Sequence, residues 1–170
     1  MKTVADVTRG NGHVTGGVDV EKWDLHDASE EWDFPALQFL VDVFLPLVGI
    51  VWWGGMPKRF KSMLALYVAL AIACGRDVIA QRFRVNGRPR ILYVAREDGG
   101  SRLKERRDDI LKAWGVRPPP GALRFMIRPH FDLMDATHMD WLRDVCITHG
   151  ITVVWDAGGF RRSGLLQCRP

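Results

Sequence analysis

The stretch VGIVWWGGMPKRFKSMLALYVALAIACG, residues 48–75, decides the fold. Its first part, within the run LVGIVWW over residues 47–53, is apolar and β-branched and ends at Gly54-Gly55, which predicts a buried strand. Its second part, KSMLALYVALAIAC over residues 61–74, is rich in Ala and Leu, apolar nearly all round and stopped by Gly75. That composition predicts a buried helix with a glycine C-cap. A strand, a short glycine-led turn and a helix in succession form the local frame of a phosphate loop. Against the pattern G-x-x-x-x-G-K-[ST], Gly55 takes the first glycine, Lys61 the lysine and Ser62 the hydroxyl, while Phe60 stands where the second glycine belongs. Backbone N–H groups at the helix N-terminus bind phosphate oxygens, a lysine neutralises their charge, and a serine hydroxyl suits Mg²⁺. A side chain at residue 60 costs about 1–2 kcal/mol if the left-handed region is needed there. The plain alternative is that GGMPKR is only a turn and Lys61 a solvated first-turn lysine.

Outward from this stretch, ALQFLVDVFL (residues 36–45) reads as a helix. Downstream, RFRVNGRPRILYVA carries Asn86-Gly87, a two-residue hairpin signal, and then a buried strand from Arg90 to Ala95 that runs into Glu97 and Asp98. From Ser101, Leu103, Ile110, Leu111 and Trp114 share one face of an amphipathic helix closed by Gly115. A strand over residues 123–127, a helix over 136–149 and a strand over 151–155 ending in Asp156 complete the series. Strands apolar on both faces, alternating with helices, predict an α/β fold with a mostly parallel sheet and flanking helices. Ligands of such sheets bind beyond the carboxyl ends of the strands. Those ends bring Gly54-Gly55, Glu97-Asp98 and Trp155-Asp156, along with Arg128 to Phe131. An acid closing a hydrophobic strand is the Walker B arrangement, and Glu97 is placed to orient or deprotonate a water. Asp98 reads as a cap of the following helix.

Composition bounds the rest. The chain has 170 residues, 47% hydrophobic and 26% charged, which suits one globular domain and excludes a disordered chain. A formal net charge of +4 and a pI near 9.2 permit an anionic partner without demanding one. Three widely spaced cysteines and five scattered histidines fit neither a disulfide framework nor a metal site made of side chains alone, and point to a reducing, cytoplasmic setting. The apolar runs are too short or too interrupted to span a bilayer, so no membrane association is expected. Residues 1–34 read as a polar, weakly ordered leader, 35–160 as the core, and 161–170 as a tail.

The ordered combination of Pro57-Lys58, Lys61-Ser62, Leu64-Ala65-Leu66, Glu97-Asp98, Arg107 and Asp156 resembles the RepA-type, RecA-like ATPase domain of plasmid and phage replicative helicases, relatives of the AAA-family ATPases. The resemblance covers residues 37–156. It implies a RecA-like P-loop NTPase core in which the loop residues Gly55, Pro57, Lys58, Arg59, Phe60, Lys61 and Ser62 bind ATP. Ser62 and Asp156 would hold Mg²⁺, and Glu97 would be the catalytic carboxylate. It also implies a homo-hexamer with ATP between subunits and a role in DNA replication, with DNA met through the assembled oligomer. The family continues through further strands after its Walker B acid, whereas AGGFRRSGLLQCRP is all that follows Asp156 here. The core is therefore expected to lack its last strands, to leave a strand edge unpaired unless another segment fills it, and to have impaired ATP hydrolysis or hydrolysis that depends on missing parts or partners. Two other readings stand beside this one. A non-catalytic nucleic-acid-binding or regulatory domain would use Arg82, Arg84, Arg88 and Arg90 around Phe83, although such a basic hairpin is also simply a solvated one. An α/β domain could also bind another phosphorylated ligand through the same loop.

Overall fold

In the computed structural model the described residues are 27–29, 31, 33–51, 60–96, 98–127, 132 and 135–157, together with the backbone of 165–167. The chain divides into two units, Met1–Ala36 and Leu37–Pro170. In the first, Ser29 donates from both its backbone N–H and its hydroxyl to Asp27 Oδ1, at 2.8 and 2.6 Å, and these bonds hold the Asp27 carboxyl below its usual range.

The second unit begins with two short antiparallel strands, β1 (Phe39–Val41) and β2 (Leu45–Pro46). It continues with helix α1 (Lys61–Cys74), strand β3 (Ile91–Ala95), helix α2 (Gly100–Trp114), strand β4 (Leu123–Ile127), helix α3 (Ala136–His149), strand β5 (Val153–Asp156) and strand β6 (Leu165–Gln167). The main sheet has the order β4-β3-β5-β6. β3 is parallel to both β4 and β5, and β6 is antiparallel to β5. The fold is the α/β architecture expected from the alternation of apolar runs, with α1 and α2 on one face of the sheet and α3 on the other. Side-chain alternation produces those layers. Ile91, Tyr93, Ala95, Val153 and Trp155 pack with α1 and α2, while Leu92, Val94 and Val154 pack with Leu142 and Cys146 of α3.

Helix α1 is the centre of the larger core. Leu66, Val68, Ala69, Leu70, Ala71 and Ile72 are all fully buried, as a helix apolar all round must be. Its far end is fastened to α2: Trp114 meets Tyr67 edge-on at 5.1 Å between ring centroids, and the Arg76 guanidinium lies 5.3 Å from the Trp114 ring centroid. Gly75 ends α1 in the left-handed conformation, φ 64, and a Cβ there would collide with the Arg88 guanidinium. Gly75→Ala is therefore expected to cost about 1–2 kcal/mol from backbone strain alone. Urea denaturation measures it, and an unchanged midpoint would show that neither the strain nor the collision matters.

Three expectations are corrected. Residues 36–45 are not helical. The chain turns at Val43, φ 60, between β1 and β2, and β1 is completed by residues distant in sequence. Asp42 N–H donates to the Arg84 carbonyl, Asn86 N–H to the Leu40 carbonyl, and the Asn86 side-chain amide to the Phe39 carbonyl and the Asp42 carboxylate. Asn86 is thus occupied in holding β1, and no hairpin forms at Asn86-Gly87. The antiparallel bridges of this region instead join Val78 to Phe83, around a turn at residues 79–82, and Val85 to Val41. The strand expected from residue 47 is absent over 47–50, where Gly49 has φ 122, a value outside any strand geometry. Residues 52–59 lie outside the described set. At the other edge, the expected gap beside β5 is filled: Leu165–Gln167, in the segment read as a plain tail, pairs with Val153–Trp155.

Candidate functional site

The carboxyl ends of β3 and β5 and the first turn of α1 gather the chemically equipped residues. Phe60 is the N-cap of α1 and adopts φ 58, ψ 17, and its carbonyl accepts from the Leu64 N–H at 2.8 Å. The residue standing at the second glycine of the phosphate-loop pattern thus has a glycine-type backbone although it is phenylalanine. Its side chain is 81% exposed, so burial does little to offset the strain. Phe60→Gly relieves about 1–2 kcal/mol of strain and adds about 0.5–1 kcal/mol of unfolded-state entropy, leaving a net stabilisation of about 0.5–1 kcal/mol. Thermal denaturation tests the sign; destabilisation would mean that the phenyl ring holds the loop.

Lys61 and Ser62 open the helix directly after this residue. The first turn of α1 carries no acidic side chain, so the positive end of its dipole is not countered from within the turn. Position is set by Tyr93, fully buried on β3, whose hydroxyl donates to the Ser62 carbonyl at 3.1 Å. Burial, chiefly, and the nearby carboxylates of Asp98 and Asp156 push the Tyr93 phenol well above its ordinary range, with Arg106 opposing. The phenol therefore stays a hydrogen-bond donor throughout the physiological range, and the start of α1 is tied to the middle strand.

Asp156 is the last residue of β5 and is 3% exposed. Backbone pairing sets it opposite Val94, two residues before Arg96. The Arg96 guanidinium reaches across and donates to Asp156 Oδ2 at 2.6 Å. Strand alternation puts both residues in phase with Leu92, Val94 and Val154, on the α3 side, whereas Tyr93 lies on the α1 side. Asp98 does not cap α2; its Oδ2 accepts from Arg106 Nη1 at 2.7 Å, and the N-cap is Gly99 without a side-chain bond. Arg107 is bonded through Nε and Nη2 to its neighbour Asp108, at 2.9 and 2.7 Å.

Of the residues singled out from sequence, the structure places Phe60, Lys61 and Ser62 at the start of α1, with the Ser62 carbonyl tied to β3 by Tyr93, and Asp156 at the end of β5 on the α3 side. Gly55, Pro57, Lys58, Arg59 and Glu97 lie outside the described residues. Sequence reasoning missed Arg96, Tyr93 and Arg106. The signal for Arg96 was present: a charged residue directly after five buried strand residues, at a strand end, must find a counter-charge there. Among the described residues no group of three or more His, Cys, Asp or Glu side chains is arranged to hold a metal. One buried carboxylate and one hydroxyl are nevertheless hard oxygen donors of the kind Mg²⁺ uses when phosphates and water supply its remaining positions.

Among the described residues no helix is long and apolar enough to cross a membrane. A family model described as an AAA domain matches residues 19–154. No curated protein and no solved structure gives a significant match.

Proposed function

The chain belongs to the AAA domain family, a nucleotide-binding, ATPase-type module, and from that premise we propose that it is the RecA-like ATP-binding core of a DNA replication or mobile-element helicase. The observation that carries the site assignment is the left-handed N-cap at Phe60 followed at once by Lys61-Ser62. It gives the helix entry the backbone geometry a phosphate loop needs, despite the missing glycine. In this reading the N–H groups of the first turn of α1 and the loop residues Gly55, Pro57, Lys58, Arg59 and Phe60 surround the phosphates, and Lys61 neutralises their charge. The Ser62 hydroxyl and the Asp156 carboxylate hold Mg²⁺, which when bound offsets the charge developing on the transferred phosphoryl group. Glu97, directly beyond Arg96 at the end of β3, accepts a proton from the attacking water. Tyr93 keeps Ser62 in place.

Assembly into a homo-hexamer, DNA contact through that assembly, and turnover that depends on partner groups belong to the same proposal, as does a cytoplasmic setting. The rival reading, a non-catalytic nucleic-acid-binding or regulatory domain, has less support. Arg90 donates to the His149 carbonyl at 3.1 Å, and Arg88 packs against Gly75, so two of those four arginines are engaged within the protein. Glu97→Gln is expected to abolish ATP turnover, measured as phosphate release with and without single-stranded DNA, while ATP affinity stays within about threefold. Unchanged turnover excludes Glu97 as the water-activating group; wild-type protein that binds ATP and never turns it over, with or without DNA, favours the regulatory reading.

A further inference from the structure

Residues 76–90 carry five arginines and a single acid, Asp77, so this stretch alone holds as much net positive charge as the whole chain, +4. Three of the arginines have structural places. The Arg76 guanidinium lies over the Trp114 ring, Arg88 lies against Gly75 at the carboxyl end of α1, and Arg90 donates to the His149 carbonyl at the carboxyl end of α3. Arg88 and Arg90 thus offset the negative ends of two helices. Arg82 and Arg84 have no such place: both are exposed, and neither side chain has a hydrogen bond, ion pair or ring contact among the described residues. The ion pairs of the described residues are made instead by Arg96, Lys104, Arg106, Arg107, His138 and Arg143. The backbone that carries Arg82 and Arg84 is firmly held. Val78 and Phe83 exchange both backbone hydrogen bonds, at 2.8 and 3.1 Å, the Val85 N–H donates to Asp77 Oδ1 at 3.0 Å, and the Arg84 carbonyl accepts from the Asp42 N–H at 2.9 Å. Phe83 and Val85 pack on the larger core, and Phe83 stacks on Phe44 with 6.0 Å between ring centroids. Arg84, between two core-packed residues of an extended segment, is therefore turned outward. The turn leading to Arg82 is strained: Ile79, Ala80 and Gln81 have φ values of 52, 52 and 68, although none is glycine. Successive left-handed residues are costly, and such strain collects where the shape of a loop serves function. Both acids beside this ribbon are occupied, Asp77 by the Val85 N–H and Asp42 by the Asn86 side-chain amide.

Resting for its partner on the DNA contact of the proposed function, we propose that the outer side of residues 76–90 is a docking surface for the phosphate backbone of a single-stranded nucleic acid, held by Arg82 and Arg84. The contact needs neither ATP nor an assembled oligomer. The two arginines stand no more than about 7 Å apart along the backbone, an interval that successive phosphates of an extended strand can match. Guanidinium forks bind phosphate oxygens in pairs. Phe83 is occupied by Phe44 and offers no ring to the bases, so affinity comes from charge, with little preference for sequence and a strong dependence on salt. A lipid surface fits less well. The only large apolar side chain exposed in the segment is Ile79, whereas segments that lie on membranes bury a whole apolar face.

The test is fluorescence anisotropy of a labelled oligodeoxythymidylate, titrated with the full chain in the absence of nucleotide over a range of salt concentrations. Wild type is expected to bind with an affinity that falls steeply with salt. Arg82→Ala/Arg84→Ala is expected to bind about tenfold more weakly at low salt and to lower the slope of log affinity against log salt by about 1.4, from two phosphate contacts at about 0.7 each. Arg82→Lys/Arg84→Lys keeps both charges and should recover most of that slope. Lys104→Ala/Arg143→Ala removes the same charge from ion-paired positions on α2 and α3 and should leave affinity within about twofold, because salt screens distant charges. If the first alanine pair does not fold, Arg82→Ala alone, in the exposed turn, should lower the slope by about 0.7. Equal losses in the two alanine pairs, or an unchanged slope in the first, overturn the docking surface and leave the DNA contact elsewhere on the chain. A duplex bound more tightly than the oligonucleotide overturns the single-strand assignment, and binding to phosphatidylserine vesicles with none to the oligonucleotide gives the surface to a membrane and overturns it as well. Wild type that binds neither oligonucleotide nor duplex at low salt overturns the DNA contact of the proposed function together with the surface, which separates the two failures.

Discussion

Asp156→Ala is expected to destabilise the fold by about 3 kcal/mol, because truncating one member of a buried ion pair removes the charge that compensates its partner. The pair is Arg96–Asp156, with the carboxylate 3% exposed at the end of β5. Arg96 keeps some access to water at 21% exposure, which places the effect at the low end of the range measured for such truncations. For a chain of this size that loss lowers the melting temperature by about 6–12 °C. Asp156→Asn preserves volume and one acceptor oxygen and should lose less. The ordering of the two variants in chemical denaturation is the check, and equal, negligible losses would mean that the pair is not energetically coupled to folding. Both variants should also lose the magnesium dependence of nucleotide binding, a property that stability alone would not alter.

Lys61→Ala is expected to weaken ATP binding by at least about a hundredfold while leaving the fold intact. The lysine stands in the first turn of α1, directly after the left-handed N-cap, where its charge adds to the helix dipole on a phosphate. Its contribution to folding is small, since a first-turn cation opposes the dipole instead of complementing it. The wild-type protein at a hundredfold excess of Mg²⁺–ATP over its dissociation constant gains about 2.7 kcal/mol, or roughly 5–10 °C in melting temperature. In Lys61→Ala the same concentration should give less than a quarter of that shift. A full shift in the variant would move the phosphate site away from the start of α1.

The elements that sequence reasoning placed well are those whose signal is local. Helix α1 is announced by fourteen residues of Ala, Leu and their like and by Gly75, and strands β3, β4 and β5 by short apolar runs bounded by breakers. Residues 36–45 carried a helical spacing and became β1 and β2 for a reason that lies elsewhere in the chain. Asn86 and Arg84 supply the backbone and side-chain bonds that hold β1 extended, and a partner more than forty residues away leaves no trace in local periodicity. Strand β6 was missed because three residues, Leu165–Gln167, are too short a run to announce a strand before it is paired with β5.

The candidate site was half legible. Lys61, Ser62 and Asp156 were visible as motif residues, and the structure places the first two in the first turn of α1 and the third at the end of β5. The role of Tyr93 depends on a buried hydroxyl meeting a helix carbonyl across the sheet, which only the tertiary fold creates. Phe60 was read as the weak point of the loop pattern. Its backbone keeps the left-handed geometry a glycine would take there, and the side chain projects into solvent. Arg96 belongs to no motif, and its importance arises only because β5 stands next to β3 and brings Asp156 opposite Val94.

The central claim is that the start of α1 and the end of β5 form a magnesium-dependent ATP site. Titration calorimetry of ATP into the intact chain, with Mg²⁺ and then with a chelator, tests it most directly. The account predicts saturable binding of one ATP per chain that weakens at least tenfold when the metal is removed. Absence of saturable binding at millimolar ATP with Mg²⁺ present would contradict it.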